Sequence, residues 1–323
     1  MTKTLHDDLP QTVIPEQRKA RRPEIDLQAR IEGEARAYHH LMDINLQVFD
    51  SVTDAAIRIL RRARGRAVGT SVFTCNVDHL MLMNKEQRFR DAYERADVVT
   101  IDGAPLALLT KLTGTAEARR VTGVALTGAL VEQAERDGLR IALVGGAPGR
   151  GVMAAANLRR EHSELGEVFV DSPRMGFEIG DEEDQRLVSG LVAFQPDVVI
   201  VCLGAPKQEL WIDQHRNELP GAVLVGAGAT IDFLSGYQTR APRFFQATGT
   251  EAAYRLATDF RRLWRRYLLR DSKFFVLFAG LTLGYAAGRA RVGSSARSHG
   301  ATRRRTSAAR PSPCRACGYS PAA

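Results

Sequence analysis

The chain has 323 residues, with 44% hydrophobic and 25% charged side chains, the balance of a folded protein with ordinary cores rather than a disordered or collagen-like chain. Its formal net charge is +8, and the eight arginines from Arg289 to the C-terminus, with no acid among them, match that whole excess. Four cysteines (Cys75, Cys202, Cys314 and Cys317) are too scattered for a disulfide framework, which points to a reducing compartment.

Residues 1–40 are polar, lack the apolar stretch of a secretory signal, and read as an N-terminal extension with marginal structure. From 41 to 239, short β-branched apolar runs alternate with amphipathic stretches. The runs predict strands over Ala67–Cys75, Val98–Ile101, Arg140–Val144, Val168–Asp171, Asp197–Leu203 and Ala222–Val225. Helical periodicity predicts helices over Asp54–Arg64, Lys85–Arg95, Leu126–Asp137, Gly151–Arg160, Asp181–Phe194 and Lys207–Asn217. Strands apolar on both faces and separated by helices imply an α/β, Rossmann-like, mainly parallel sheet covered on both sides.

From 240 to 288 the pattern turns helical and arginine-rich, forming a C-terminal appendage. Arginines between Arg240 and Arg270 outnumber the two acids, Glu251 and Asp259, by six. A cationic arm of this kind suits a polyanionic surface, although a solvated helix face is the plainer reading. The longest apolar run, Phe274–Ala287, has 14 residues, against the roughly 20 that a spanning helix needs. Residues 289–323 are rich in Arg, Ser, Ala, Gly and Pro and read as a disordered basic tail. Cys314 and Cys317 there make half a zinc pattern with no second pair.

Each predicted strand ends in small or polar residues, where doubly wound sheets bind ligands. The clusters are Thr74-Cys75-Asn76, Ile101-Asp102-Gly103, Gly145-Gly146-Ala147-Pro148-Gly149, Gly204 to Glu209, and Gly226 to Asp232. Together they suggest one crevice for a large phosphorylated ligand. A competing reading comes from Gly149-Arg150-Gly151-Val152-Met153-Ala154, which fits G-x-G-x-x-A, with Asp171 closing the next strand. That pattern would make the protein an NAD-dependent oxidoreductase, but short glycine patterns are weakly specific. A third reading, a non-enzymatic adaptor for nucleic acid or membrane, rests on the arginines alone.

The segments TCNVDHL, IDGAPL, RVTG, LVGGAPG, MGF, QPDVVIVCLGAPKQE, GAGATIDFLSG and RAP occur in this order. Over about Ile44 to Tyr267 the chain thereby resembles the WecG/TagA/CpsF glycosyltransferases, glycosyltransferase family 26. The resemblance implies inverting transfer of a sugar from a UDP-sugar to a polyprenyl-pyrophosphate-linked acceptor in cell-surface polysaccharide biosynthesis. N-acetylmannosamine, its uronic acid and glucose are the family's donor sugars. It implies a protein peripheral on the cytoplasmic face of the membrane, without nucleic acid as partner, and leaves room for a homo-oligomer.

Residue by residue, the resemblance implies Asp102 as the general base, although Asp is also a favoured helix N-cap. Arg120 would stabilise the leaving UDP, with Arg119 beside it a surface arginine. Thr74 and Asn76 would hold the donor sugar or place the acceptor. Phe177 would flank the uracil, or else belong to the core. Gln208 and Asp232 would line the nucleotide pocket with Gly145, Gly146 and Gly204, while Lys207 and Glu209 pair or cap locally. Arg255, Arg262 and Arg265 match arginines of the family's C-terminal appendage and would face acceptor pyrophosphate and anionic lipid. No D-x-D-type acidic pair stands at a strand end, so catalysis without a metal or other cofactor is expected, and Asp78 and His79 are expected on the first turn of a helix. The chain departs from the family at Ala125, where an aspartate is usual, at Glu251-Ala252, and at Asp259-Phe260-Arg261-Arg262.

Overall fold

The computed structural model describes residues 38–41, 44–112 and 119–239. The chain opens with an antiparallel hairpin, β1 (Tyr38–Leu41) and β2 (Ile44–Gln47), that its sequence pattern does not announce. Helix α1 (Val52–Ala63) follows. Its N-cap is Ser51, whose Oγ accepts from Asp54 N at 3.0 Å, and Asp54 pairs with Arg58 one turn on at 2.7 Å. Ala55, Ile59 and Ala63 turn inward and Leu60 packs at the margin of the same core.

Strand β3 (Thr70–Cys75) is followed by α2 (Val77–Met83), α3 (Gln87–Glu94), β4 (Val98–Ile101), α4 (Ala104–Leu112) and α5 (Gly123–Asp137). Strand β3 begins at Thr70 rather than Ala67 because Gly69 is pinned beforehand. Its N–H donates to Arg216 O at 2.7 Å, and a Cβ there would lie 2.5 Å from the Leu224 side chain. Then come β5 (Ile141–Gly145), α6 (Arg150–Glu161), β6 (Val168–Asp171), α7 (Glu182–Phe194), β7 (Val198–Cys202) and α8 (Lys207–His215). A 3-10 turn, Arg216–Glu218, completes the last of these helices before β8 (Val223–Gly226) and the short α9 (Thr230–Leu234).

Six strands form one parallel sheet in the order β4-β3-β8-β7-β5-β6. All residues of β3, β4, β5, β7 and β8 are buried, as expected for strands covered on both faces, whereas edge strand β6 is only partly so. One face carries Val72, Leu143, Ile200 and Val225 against α1, α5, α6 and α9. The opposite face meets α3 and α8, with the Phe73 and Tyr93 rings 5.0 Å apart. Fully buried Asp184 ties α7 to α8, accepting from Trp211 Nε1 at 2.6 Å and lying 3.0 Å from His215 Nε2. The chain passes from β5 outward to β6 but from β7 inward to β8. This reversal puts the switch point, where doubly wound sheets form their ligand crevice, between β5 and β7 at the C-terminal ends of the strands.

The opposite, N-terminal edge is fastened by Asp97. Its carboxylate accepts from Ser71 N at 3.1 Å and pairs with Arg66 at 2.8 Å and Arg216 at 2.5 Å. Burial alone would raise its pKa. The Ser71 hydrogen bond and the Arg216 and Arg66 charges outweigh that and hold it below 3.8. The ionised form therefore stabilises the fold above the ordinary carboxylate range, and this stabilisation is lost as pH falls from that range through the lowered folded pKa. Asp97→Asn is expected to lose stability at neutral pH and to show a flatter decline on acidification, checked by urea unfolding from pH 3 to pH 7.

Candidate active site

Parallel register brings the polar strand ends to one edge. Cys75 pairs with Ile101, and the Asp102 N–H then donates to Cys75 O at 2.7 Å, so the ladder continues one residue beyond β4 against the last residue of β3. Asp102 consequently stands beside Asn76. Its Oδ2 accepts from Gly123 N, at the start of α5, at 3.4 Å. The segment leading into α5 lies along the end of β4. There, Val121 N donates to Ile101 O at 2.8 Å and Thr100 Oγ1 donates to Val121 O at 2.9 Å. That docking sets half-buried Arg120 on the same edge as Asp102.

Asn76 caps α2, with Oδ1 accepting from His79 N at 3.2 Å, so Asp78 and His79 do lie on a first helical turn. Thr74 is buried and donates through Oγ1 to Gly226 O at 2.9 Å. Gln208 is buried as well. Its Nε2 donates to Glu209 Oε1 at 2.7 Å, and its Oε1 accepts from Gly228 N at 3.1 Å. Thr74 and Gln208 thus grip the backbone of the loop between β8 and α9. Gly123 presses on the same loop, since a Cβ there would lie 3.1 Å from Ala227 Cα and O.

On the crevice side, Gly145 and Gly146 have φ of 99° and 79°. A Cβ on Gly145 would sit 2.5 Å from Cys202 O, and one on Gly146 would sit 2.8 Å from the Ile231 side chain, so close packing of β5 on β7 and α9 alone demands glycine at both. Gly204, with φ 78°, has open space where a Cβ would be, and its carbonyl accepts from Gln208 N at 3.0 Å. Asp232 does not stand alone: its Oδ1 meets Arg150 Nη1 at 2.5 Å, and the Arg150 guanidinium lies 3.5 Å from the Tyr237 ring centroid. Phe177 is buried, with the Lys207 ammonium 4.3 Å from its ring centroid and donating to its carbonyl oxygen.

Sequence reasoning missed Arg150 as the partner of Asp232. The signal was a cation between two glycines at a helix start. It also missed the buried polar cluster behind Asp102. Glu209 is fully buried, and its Oε2 has no hydrogen-bond partner among the described residues. Burial raises its pKa from 4.5 to about 7, with donation from Gln208 and a backbone N–H opposing. His79 Nε2 is 3.9 Å from Glu209 Oε1, too far for a hydrogen bond, and His79 Nδ1 is 2.6 Å from the Tyr93 hydroxyl. Burial and the charges of Asp102 and Glu209 push the Cys75 thiol well above its ordinary range, so it stays protonated and does not serve as a thiolate nucleophile.

In the dinucleotide pattern, both oxygens of Asp171 accept from Arg186, at 2.7 and 3.0 Å, much as Asp232 is held by Arg150. Arg255, Arg262 and Arg265, the apolar run 274–287 and Cys314 and Cys317 lie outside the described residues. Among the described residues no group of three or more His, Cys, Asp or Glu could hold a metal ion, and no helix is long and apolar enough to cross a membrane.

The profile of the glycosyl transferase WecG/TagA/CpsF family matches residues 39–287. Among curated proteins, an N-acetylglucosaminyldiphosphoundecaprenol N-acetyl-beta-D-mannosaminyltransferase of Bacillus spizizenii is 31% identical over 201 residues, covering 62% of this chain and 75% of the relative. With most of its length matched and its strand-end motifs gathered on one sheet edge, the chain belongs to the WecG/TagA/CpsF family and is a glycosyltransferase.

Proposed function

We propose that this glycosyltransferase moves a sugar from a UDP-sugar onto a sugar carried by an undecaprenyl-diphosphate lipid, in cell-surface polysaccharide synthesis. The acceptor class follows from the activity for which the Bacillus spizizenii relative is named. N-acetylmannosamine heads the donor sugars for the same reason, before its uronic acid and glucose. The observation that carries the reading is the position of Asp102, on the ladder extension between β3 and β4 and facing the start of α5, with Arg120 on the same edge.

An inverting displacement needs one base for the acceptor hydroxyl, and a carboxylate at a strand end supplies it. Arg120 is the counter-charge for the diphosphate that leaves. Asn76 and Thr74 border the sugar. Gly145, Gly146, Gly204, Gln208 and Asp232 line the nucleotide side, with Phe177 toward the base. In this reading Arg150 exchanges its bond to Asp232 when the ribose hydroxyls arrive.

UDP is expected to raise the melting temperature of the full chain and NAD is not; the reverse would favour the oxidoreductase. Asp232→Ala should weaken UDP binding by about 1 kcal/mol, roughly fivefold, the worth of one hydrogen bond, and Gln208→Ala should weaken it to a similar extent by releasing the Gly228 N–H and the loop that leads to Asp232. Calorimetry giving unchanged affinity for both would refute the pocket.

The appendage over 240–288 is proposed as the membrane- and acceptor-binding part, flanked by a polar extension (1–40) and a basic tail (289–323). Arg255, Arg262 and Arg265 face anionic lipid and the acceptor pyrophosphate on the inner face of the membrane. A chain truncated after Gly249 should cease to float with anionic liposomes and still bind UDP. Flotation equal to that of the full chain would exclude this role.

A further inference from the structure

Glu209 has no part in the scheme above, yet it is a fully buried acid in direct contact with a proposed nucleotide-binding side chain. The neighbouring Gln208 carboxamide has two unlike ends, and each end is taken. Nε2 donates to Glu209 Oε1 at 2.7 Å, and Oε1 accepts from Gly228 N at 3.1 Å. Glu209 Oε1 accepts whether the group is ionised or carries its proton on Oε2, so it fixes which end of the amide faces it. The other end is then an acceptor turned toward the Gly228 N–H. Without that acid, the Gly228 N–H alone holds the carboxamide, and a half-turn costs only that one hydrogen bond. Its NH₂ would then oppose the Gly228 N–H, donor against donor.

The space around this contact is closed. A Cβ on Gly226 would lie 3.3 Å from Gln208 Nε2 and 3.5 Å from Glu209 Oε1, so glycine lets the pair rest on the end of β8. Gln208 of α8 touches Glu209 and His79 of α2 lies 3.9 Å from it; Tyr93 of α3, bonded to His79, and Cys75 of β3 belong to the same buried neighbourhood. Asp102, beyond β4, adds its charge to the same cluster. Of these groups, Gln208 is the one that donates its side-chain N–H to the acid.

We propose that Glu209 is a positioning residue for the transfer reaction: its buried carboxyl group locks the Gln208 carboxamide in the orientation that holds Gly228, and so sets the loop that leads into α9 and Asp232. The inference rests on the nucleotide-site reading given above. Glu209 touches no substrate; it acts through Gln208.

The test uses the full chain and two variants. Glu209→Met fills a similar volume and accepts no hydrogen bond, whereas Glu209→Gln keeps an acceptor oxygen for Gln208. Amide hydrogen exchange over residues 226–229 is read first, without ligand. Glu209→Met should speed exchange of the Gly228 amide, and Glu209→Gln should leave it close to the wild-type rate. UDP affinity is read second. Glu209→Met should weaken it roughly fivefold, Glu209→Gln should restore it, and Glu209→Met should have no further effect once Gln208→Ala is present. A folded Glu209→Met protein with unchanged Gly228 exchange would overturn the proposal, as would additive losses in the double variant. Should Glu209→Met not fold, Glu209→Ala takes its place with the same expectations. If wild-type protein shows no response to UDP while Gly228 exchange still follows Glu209, the nucleotide reading fails and the orienting role of Glu209 stands.

Discussion

Asp102→Asn is expected to lower sugar transfer by about 10²–10⁴-fold, the usual contribution of a general base, while UDP still binds. The substitution is conservative in shape. The Asn carboxamide oxygen can still accept from Gly123 N, and the Asp102 backbone N–H still continues the ladder at Cys75 O. What disappears is the ability to take a proton from the acceptor hydroxyl. Asp102 faces Gly123 at the start of α5, while Asp232, the residue assigned to the ribose, lies on the α9 side of the loop that Thr74 and Gln208 grip. Nucleotide affinity should therefore change little, and the loss should appear in kcat. Turnover near that of the wild type would remove Asp102 from the mechanism and return it to the role of a loop-capping residue.

Glu209→Gln is expected to be more stable than the wild type above pH 7, by about 3 kcal/mol, and to match it near pH 4.5. The Glu209 pKa rises from 4.5 in the open chain to about 7 in the folded protein. Between those values the folded protein holds a proton that the unfolded chain releases. Stability contributed by this residue is therefore complete below about 4.5 and falls as pH rises to about 7. A displacement of that size corresponds to about 3 kcal/mol at 1.36 kcal/mol per tenfold change in proton affinity. Glutamine is neutral throughout and bears no such penalty, yet it still offers Gln208 an acceptor. Urea unfolding at pH 5 and pH 8 checks this. Parallel pH dependence in the two proteins would mean that Glu209 is not the buried titrating acid.

The sheet was legible in the sequence because burial on both faces forces unbroken apolar β-branched runs. Val98–Ile101 and Val168–Asp171 are the strands expected, residue for residue. The hairpin was not, because Tyr-His-His-Leu shows no alternation that would separate it from the polar segment before it. Helix α9 has five residues, too few for a helical period to register. At the site, Asp102, Asn76 and the glycine turns were readable since each ends a strand and parallel strands share an edge. Their bonds were not. That Thr74 donates to Gly226 O across the sheet follows from β3 lying beside β8, a pairing between distant parts of the sequence. The approach of His79 to Glu209, at 3.9 Å, likewise arises only when α2 and α8 come together in the fold. Gly145 and Gly146 looked like phosphate-loop residues, yet strand and helix packing already accounts for both.

The account stands most directly on transfer itself. Full-length protein is incubated with labelled UDP-sugars, beginning with UDP-N-acetylmannosamine, and with a membrane-embedded undecaprenyl-diphosphate-linked N-acetylglucosamine acceptor. The account predicts one labelled lipid-linked product, formed with inversion at the anomeric carbon, matched mole for mole by released UDP, and lost in Asp102→Asn. Absence of product from every UDP-sugar tested, or undiminished product from Asp102→Asn, would contradict it.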